Sequence, residues 1–151
     1  AALTANDEAY QPGFESVDTT VHACIPFYGV YDFTNRLGTY PAFGLGWLLE
    51  QFVMKQPYLE NPEVFAAASP LNRIHTDAPP FMIVHGDRDS LAPVADARFF
   101  VESLRAISAN PVVYAELPGA QHAFDVFHSF RTTDSIRAVE CFLRQVAPLN
   151  S

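Results

Sequence analysis

With 151 residues, 49% hydrophobic and 17% charged, the chain is long enough for one domain with a real core, and its 13 Phe and 6 Tyr argue against disorder. The net charge of -8 comes without any basic patch, so no nucleic-acid partner is expected and the acidity reads as solubility. No apolar run approaches the ~20 residues of a membrane span, and no Cys/His cluster has zinc spacing.

The opening residues AALTAN read as the last turn of a helix, because Ala1, Ala2 and Leu3 are strong helix formers and Asn6 and Asp7 can end the turn. Residues 7–18, with Pro12 and Gly13, read as an irregular loop. The run VHACIPFY at 21–28 predicts a buried strand in which Pro26 limits pairing. The stretch FGLGWLLEQFVMK at 43–55 is too continuously apolar for a surface helix, and predicts a helix that is either buried or the cover of a pocket. Asn61-Pro62-Glu63 starts a short helix that stops near Ser69-Pro70. After a loop over 71–80, the run 81–84 predicts a parallel strand covered on both faces.

Pro93 then opens a helix with positions 94, 97, 101, 104 and 107 on one face. A strand follows over 112–117, and a last helix over 133–147 turns Ile136, Val139, Leu143 and Val146 inward. Cys24 and Cys141 both sit in apolar context and are expected as buried free thiols. The strand–helix alternation with long crossovers predicts an α/β fold of about three parallel strands with flanking helices. Doubly wound sheets usually hold more strands, so the 151 residues are expected to be part of a larger domain.

Two loops carry chemistry. FMIVHGDRDSLAPV at 81–94 ends its strand in a loop bearing Asp89, and VVYAELPGAQHAF at 112–124 ends the next in a loop bearing His122. In an open parallel sheet, reactive groups gather at the carboxyl ends of the strands. An acid and a histidine there are two members of a nucleophilic triad, in the chain order Ser, acid, His. Spacing alone leaves Asp87 open as the acid, its other reading being a turn residue that accepts nearby backbone amides. His85 precedes the acid and is expected to pack or hydrogen-bond in the turn, while His22, His75 and His128 have no loop context that calls for chemistry.

No G-x-S-x-G occurs in the chain, and Ser16, Ser69, Ser90, Ser103, Ser108, Ser129, Ser135 and Ser151 all lack the Gly-flanked turn of a nucleophile elbow. The nucleophile is therefore not expected on these residues.

HGDRDSLAPV resembles the acid loop of α/β-hydrolases, and PGAQHAF their histidine loop. QPGFE, PFYGVYDF, ASPLNRI and the apolar stretch near Trp47 resemble the carboxylesterase/lipase group related to hormone-sensitive lipase, closest to its actinobacterial esterases. The resemblance implies the carboxyl-terminal half of such an enzyme, with Asp89 rather than Asp87 as triad acid and His122 as base. It also implies that the elbow serine lies upstream of Ala1, and that residues 38–70 include a cap or acyl-pocket segment.

The implied activity is hydrolysis of short- or medium-chain carboxylic esters without metal or cofactor, the chain alone being inactive. A non-catalytic binding module on the same scaffold, or a peptidase or dienelactone-type hydrolase, are the alternatives. The expected partners are an ester or lipid-like small molecule and either the amino-terminal half or a second copy of the chain. No targeting signal is visible, and the compartment stays open between cytoplasm and cell envelope.

Overall fold

The computed structural model describes residues 1–40 and 44–146. Its sheet is built on β1 (Phe81–Gly86), paired in parallel with β2 (Val112–Leu117) in the register Phe81 with Val112 through Gly86 with Leu117. Every residue of β1 is buried. The reason is that β1 is flanked on both edges and covered on both faces.

Its second edge is held by residues 24–28. Cys24 N–H donates to Pro80 O at 2.9 Å and Met82 N–H to Cys24 O at 3.0 Å; Val84 N–H donates to Pro26 O at 3.0 Å and Tyr28 N–H to Val84 O at 2.8 Å. Position 26 would supply the intervening donor, and proline has none. The strand predicted over 21–28 is thus reduced to two parallel bridges, Cys24 with Phe81 and Phe27 with Val84. Its residues are half-buried rather than buried, His22 excepted, which is exposed.

Helices α3 (Val94–Ile107) and α4 (Phe130–Val146) cover the two faces. Period-2 alternation along β1 sends Phe81 and Ile83 against Ala97, Phe100, Val101 and Leu104 of α3, where Tyr31, Leu71 and Ala78 complete the core. Met82 and Val84 point the other way, against Phe142, Val139 and Val146 of α4. Ring stacking of Tyr31 on Phe100, with centroids 4.3 Å apart, welds the 31–36 turn to α3.

The inward stripe of α4 differs from the predicted one. Thr132, Ser135 and Phe142 are buried with Val139 and Val146 beside them, while Ile136 is 54% exposed. Two polar residues hold inner positions because each hydroxyl finds a partner: Ser135 Oγ donates to Arg131 O at 2.8 Å and Thr132 Oγ1 to Phe127 O at 3.0 Å, while Thr132 N–H donates to the capping Ser129 Oγ at 3.1 Å. That cap also starts the helix three residues earlier than the apolar pattern indicated. The predicted end at Ala147 lies outside the described residues. Cys141 is exposed on the outer side of α4, contrary to expectation, and Cys24 is half-buried; both are free thiols.

Residues 1–6 form turns, not helix. Thr4 N–H donates to Ala1 O at 3.0 Å, and such isolated bonds do not offset the cost of a helix nucleus. Ala2 and Leu3 pack against the α3 core. The predicted helix over 43–55 begins outside the described residues at Phe43. What is described is one α-turn, α1 (Leu45–Leu48), that widens into a π-helical segment Leu49–Val53 and closes with Met54 N–H on Leu49 O. Leu45 and Leu49 pack on Phe65 of α2 (Pro62–Ala68) in a small core of their own. Trp47, Phe52 and Val53 are about half exposed or more. The stretch is thus amphipathic, with Leu45 and Leu49 inward and Trp47, Phe52 and Val53 outward.

One buried acid gives this fold a pH signature. Asp96, in the first turn of α3, accepts from Thr39 Oγ1 at 3.0 Å, and burial pushes its carboxyl above the ordinary Asp value, with the Asp32 charge adding to the rise. A folded-state pKa above the unfolded one means that the folded form holds the extra proton. This contribution is therefore full at low pH and is lost as pH rises through the folded value. Asn does not titrate, so Asp96→Asn is expected to gain stability relative to the unsubstituted chain between about pH 4 and pH 7. Urea unfolding at the two pH values checks it; a constant difference would refute it.

Candidate active site

Both loops leave the sheet at its carboxyl edge and are tied together before either functional side chain is placed. Asp87 N–H extends the ladder to Leu117 O at 3.2 Å, and the Asp87 carboxylate accepts Gly119 N–H at 2.6 Å. Gly119 stands at φ +69, a conformation that favours glycine. Asp87 is therefore the turn residue of the two candidate acids and does not touch an imidazole. Arg88 N–H donates to Ala120 O at 3.1 Å, and Gly86 lies so close to that carbonyl that a β-carbon on it would fall 2.3 Å from the oxygen.

Asp89 follows with its side chain fully buried. Oδ1 accepts Leu91 N–H at 2.9 Å and Ala92 N–H at 2.8 Å, which leaves Oδ2 facing the second loop. His122 Nδ1 lies 2.9 Å from Oδ2. A carboxylate only accepts, so the proton sits on Nδ1 and the lone pair on Nε2. The His122 side chain is 29% exposed, and among the described residues Nε2 has no hydrogen-bond partner. Its geometry is that of a base oriented from behind and open in front.

The imidazole is also held from the side. Tyr28, at φ +38, packs its ring against His122 with centroids 4.5 Å apart. The Tyr28 hydroxyl donates to Asp125 Oδ1 at 2.9 Å, which raises the phenol above its ordinary pKa, with burial adding to it. Phe124 stacks on Phe27. Residues 27 and 28 thus clamp both sides of the His122 loop, a role that the sequence signalled only as the PFY end of a weakened strand.

The remaining histidines divide as follows. His22, His75 and His128 are exposed. His85 is fully buried, with Nε2 2.8 Å from Ala92 O and 3.6 Å from Asp89 Oδ2. Among the described serines, several are spent on backbone: Ser69 Oγ donates to Phe65 O at 2.9 Å and accepts Phe33 N–H at 2.8 Å, and Ser103 and Ser135 bond to their own helices. Ser151 lies outside the described residues. A cavity of about 400 Å³ is lined by Cys24, Gly29, Tyr31, Phe81 and Phe100, but neither Asp89 nor His122 borders it. The hydrogen-bonded pair, not the cavity, therefore locates the candidate site.

The BD-FAE family model matches residues 1–104. The chain belongs to the BD-FAE family. It is 53% identical over 146 residues to a Mycobacterium tuberculosis protein named probable carboxylic ester hydrolase LipM, and 48% identical over 143 residues to esterase LipQ of the same organism. These matches cover 97% and 95% of the chain but 34% of each relative, so the chain spans about a third of the length of the curated relatives it matches. Among solved structures it resembles Est2, a thermophilic esterase of Thermogutta terrifontis, with a TM-score of 0.69 and 21% identity across 93% of this chain and 48% of that one. The fold is that of an α/β-hydrolase, contributing a small parallel sheet with flanking helices. No helix among the described residues is long and apolar enough to cross a membrane.

Proposed function

We propose that this chain supplies the acid and the base of a serine carboxylesterase or lipase acting on short- or medium-chain carboxylic esters. The observation that carries the reading is the 2.9 Å contact between His122 Nδ1 and the buried Asp89 Oδ2, with Nε2 left free. The esterase names of LipM and LipQ support the substrate class. The serine belongs, in this reading, to a segment of the protein outside these 151 residues, since no G-x-S-x-G occurs in them.

The chemistry follows from the pair. His122 Nε2 takes the serine proton as the oxygen attacks the ester carbonyl, and Asp89 stabilises the resulting imidazolium while holding its tautomer. The same Nε2 returns the proton to the alkoxide as the C–O bond breaks, releasing the alcohol. A water molecule then repeats the cycle on the acyl-enzyme, its proton passing through Nε2 to serine as the acid leaves. Residues 38–70, apart from the undescribed 41–43, form the acyl-pocket cover in this reading; the exposed Trp47 and Phe52, edge to face at 5.4 Å, support it.

The test compares two proteins. The 151-residue chain alone should leave p-nitrophenyl butyrate unhydrolysed and take up no fluorophosphonate probe. The full-length protein should do both, with the label on a serine outside residues 1–151. Labelling of any serine within them, or a full-length protein without esterase activity, would overturn the proposal.

The chain alone is also expected to associate, through its exposed apolar side chains, with the rest of the protein or with a second copy. Trp47, Phe52, Phe127 and Phe130 are 49%, 64%, 80% and 94% exposed. Light scattering on the isolated chain checks this, and a monodisperse 16.7 kDa species at micromolar concentrations would refute it.

A further inference from the structure

We infer that His85 is a positioning residue for the Asp89–His122 pair, locking the acid loop from behind through its hydrogen bond to Ala92. The inference rests on the triad reading above. His85 sits on β1 at its carboxyl end and is fully buried. Nε2 is 2.8 Å from Ala92 O, an acceptor, so the proton is on Nε2. Nδ1 is buried and has no partner among the described residues. Leaving such an atom unsatisfied is costly in a strand whose preceding positions are filled by Phe, Met, Ile and Val.

Packing alone does not explain an imidazole here, whereas its single donor does. The bond closes a continuous path: His85 holds Ala92 O, Ala92 N–H holds Asp89 Oδ1 at 2.8 Å, and Asp89 Oδ2 holds His122 Nδ1 at 2.9 Å. The same Nε2 lies 3.6 Å from Asp89 Oδ2, so the imidazole also packs beside the carboxylate.

Residues 87, 88 and 90 are tied to the 117–121 segment by their own hydrogen bonds, whereas among the described residues Ala92 O is held by His85 alone. Loss of the His85 donor would free Ala92 and, with it, one of the two amides that orient Asp89. A displacement of the acid by about 1 Å is enough to cost up to about a hundredfold in rate. His85 touches neither substrate nor the reacting atoms, so its effect should fall on kcat and not on KM.

The experiment uses the full-length protein with His85→Phe, His85→Gln and Asp89→Asn. Phe keeps the volume without the donor; Gln restores an N–H near the Nε2 position. The readouts are kcat and KM on p-nitrophenyl butyrate, thermal unfolding, and the downfield proton resonance of His122 Nδ1–H, assigned by its loss in Asp89→Asn. His85→Phe should lower kcat by about ten- to a hundredfold with KM nearly unchanged, and should weaken or abolish the resonance. His85→Gln should recover both to within about threefold of the parent.

If His85→Phe keeps the parental kcat and resonance, the inference is wrong. It is equally wrong if Phe and Gln lower kcat alike, in step with melting temperature, because a merely structural role predicts that. If Asp89→Asn itself leaves kcat unchanged, the pair reading fails and this inference falls with it, an outcome distinct from failure of His85 alone.

Discussion

In the full-length protein, His122→Ala should lower kcat by about a millionfold, to the residual activity that binding and oxyanion stabilisation leave behind. Asp89→Asn should lower it by about 10⁴-fold, because an amide in place of Oδ2 favours the imidazole tautomer with its proton on the wrong nitrogen. The 2.9 Å contact and the full burial of the Asp89 side chain motivate the second figure. Asp87→Asn is the internal control. Among the described residues its carboxylate accepts only the Gly119 amide, a bond that an Asn carbonyl can also accept, so kcat should stay within about threefold of the parent. Steady-state kinetics on p-nitrophenyl butyrate, with circular dichroism to verify folding, decides among the three. A larger loss in Asp87→Asn than in Asp89→Asn would reverse the assignment of the acid.

Gly86→Ala should damage the site and the fold together. The added methyl would stand 2.3 Å from Ala120 O and 2.7 Å from Ala120 C, atoms of the backbone that cannot rotate aside. Arg88 N–H already holds that carbonyl at 3.1 Å, and Gly119 next to it is pinned by Asp87 at 2.6 Å. The 118–122 loop therefore has to move as a unit, carrying His122 away from Asp89. Overpacking of this kind costs about 1–3 kcal/mol of stability, and the displaced imidazole should lower kcat by about a hundredfold. Urea unfolding and kcat, measured on the same preparation, check it. Parental values for both would show that the two loops are free to separate.

The elements nearest the site were the most legible in the sequence, for a physical reason. The run 81–84 lacks alternation because β1 is buried on both faces, and its end is marked by Gly86 and a turn aspartate. The helix after Pro93 turns Ala97, Val101 and Leu104 of its predicted stripe against the sheet, while Ile107 at its last turn is 48% exposed. The chain order of acid and histidine follows from strands that run parallel, since parallel strands bring their carboxyl ends, and the loops after them, to one edge. That Asp89 and His122 meet was thus accessible from pattern and topology. The BD-FAE membership and the α/β-hydrolase fold agree with the resemblance carried by the same two loops.

Other features were decided only by tertiary contacts. Whether 21–28 is a strand depended on which of its amides point at β1, and Pro26 removes the one that would have completed the ladder. The inner face of α4 was misread because Thr132 and Ser135 look polar in a list of residues, yet both are satisfied by local hydrogen bonds and so can be buried. The stretch after Phe43 looked uniformly apolar, but only Leu45 and Leu49 find a core to pack on, and Trp47, Phe52 and Val53 face outward. Spacing could not separate Asp87 from Asp89, two residues apart in one loop. Only the fold shows that one side chain points to the Gly119 amide and the other, buried, to the imidazole. Residue type and periodicity determine which segments pack and in what order; the direction of each polar side chain is set by which unpaired group the folded backbone brings within reach.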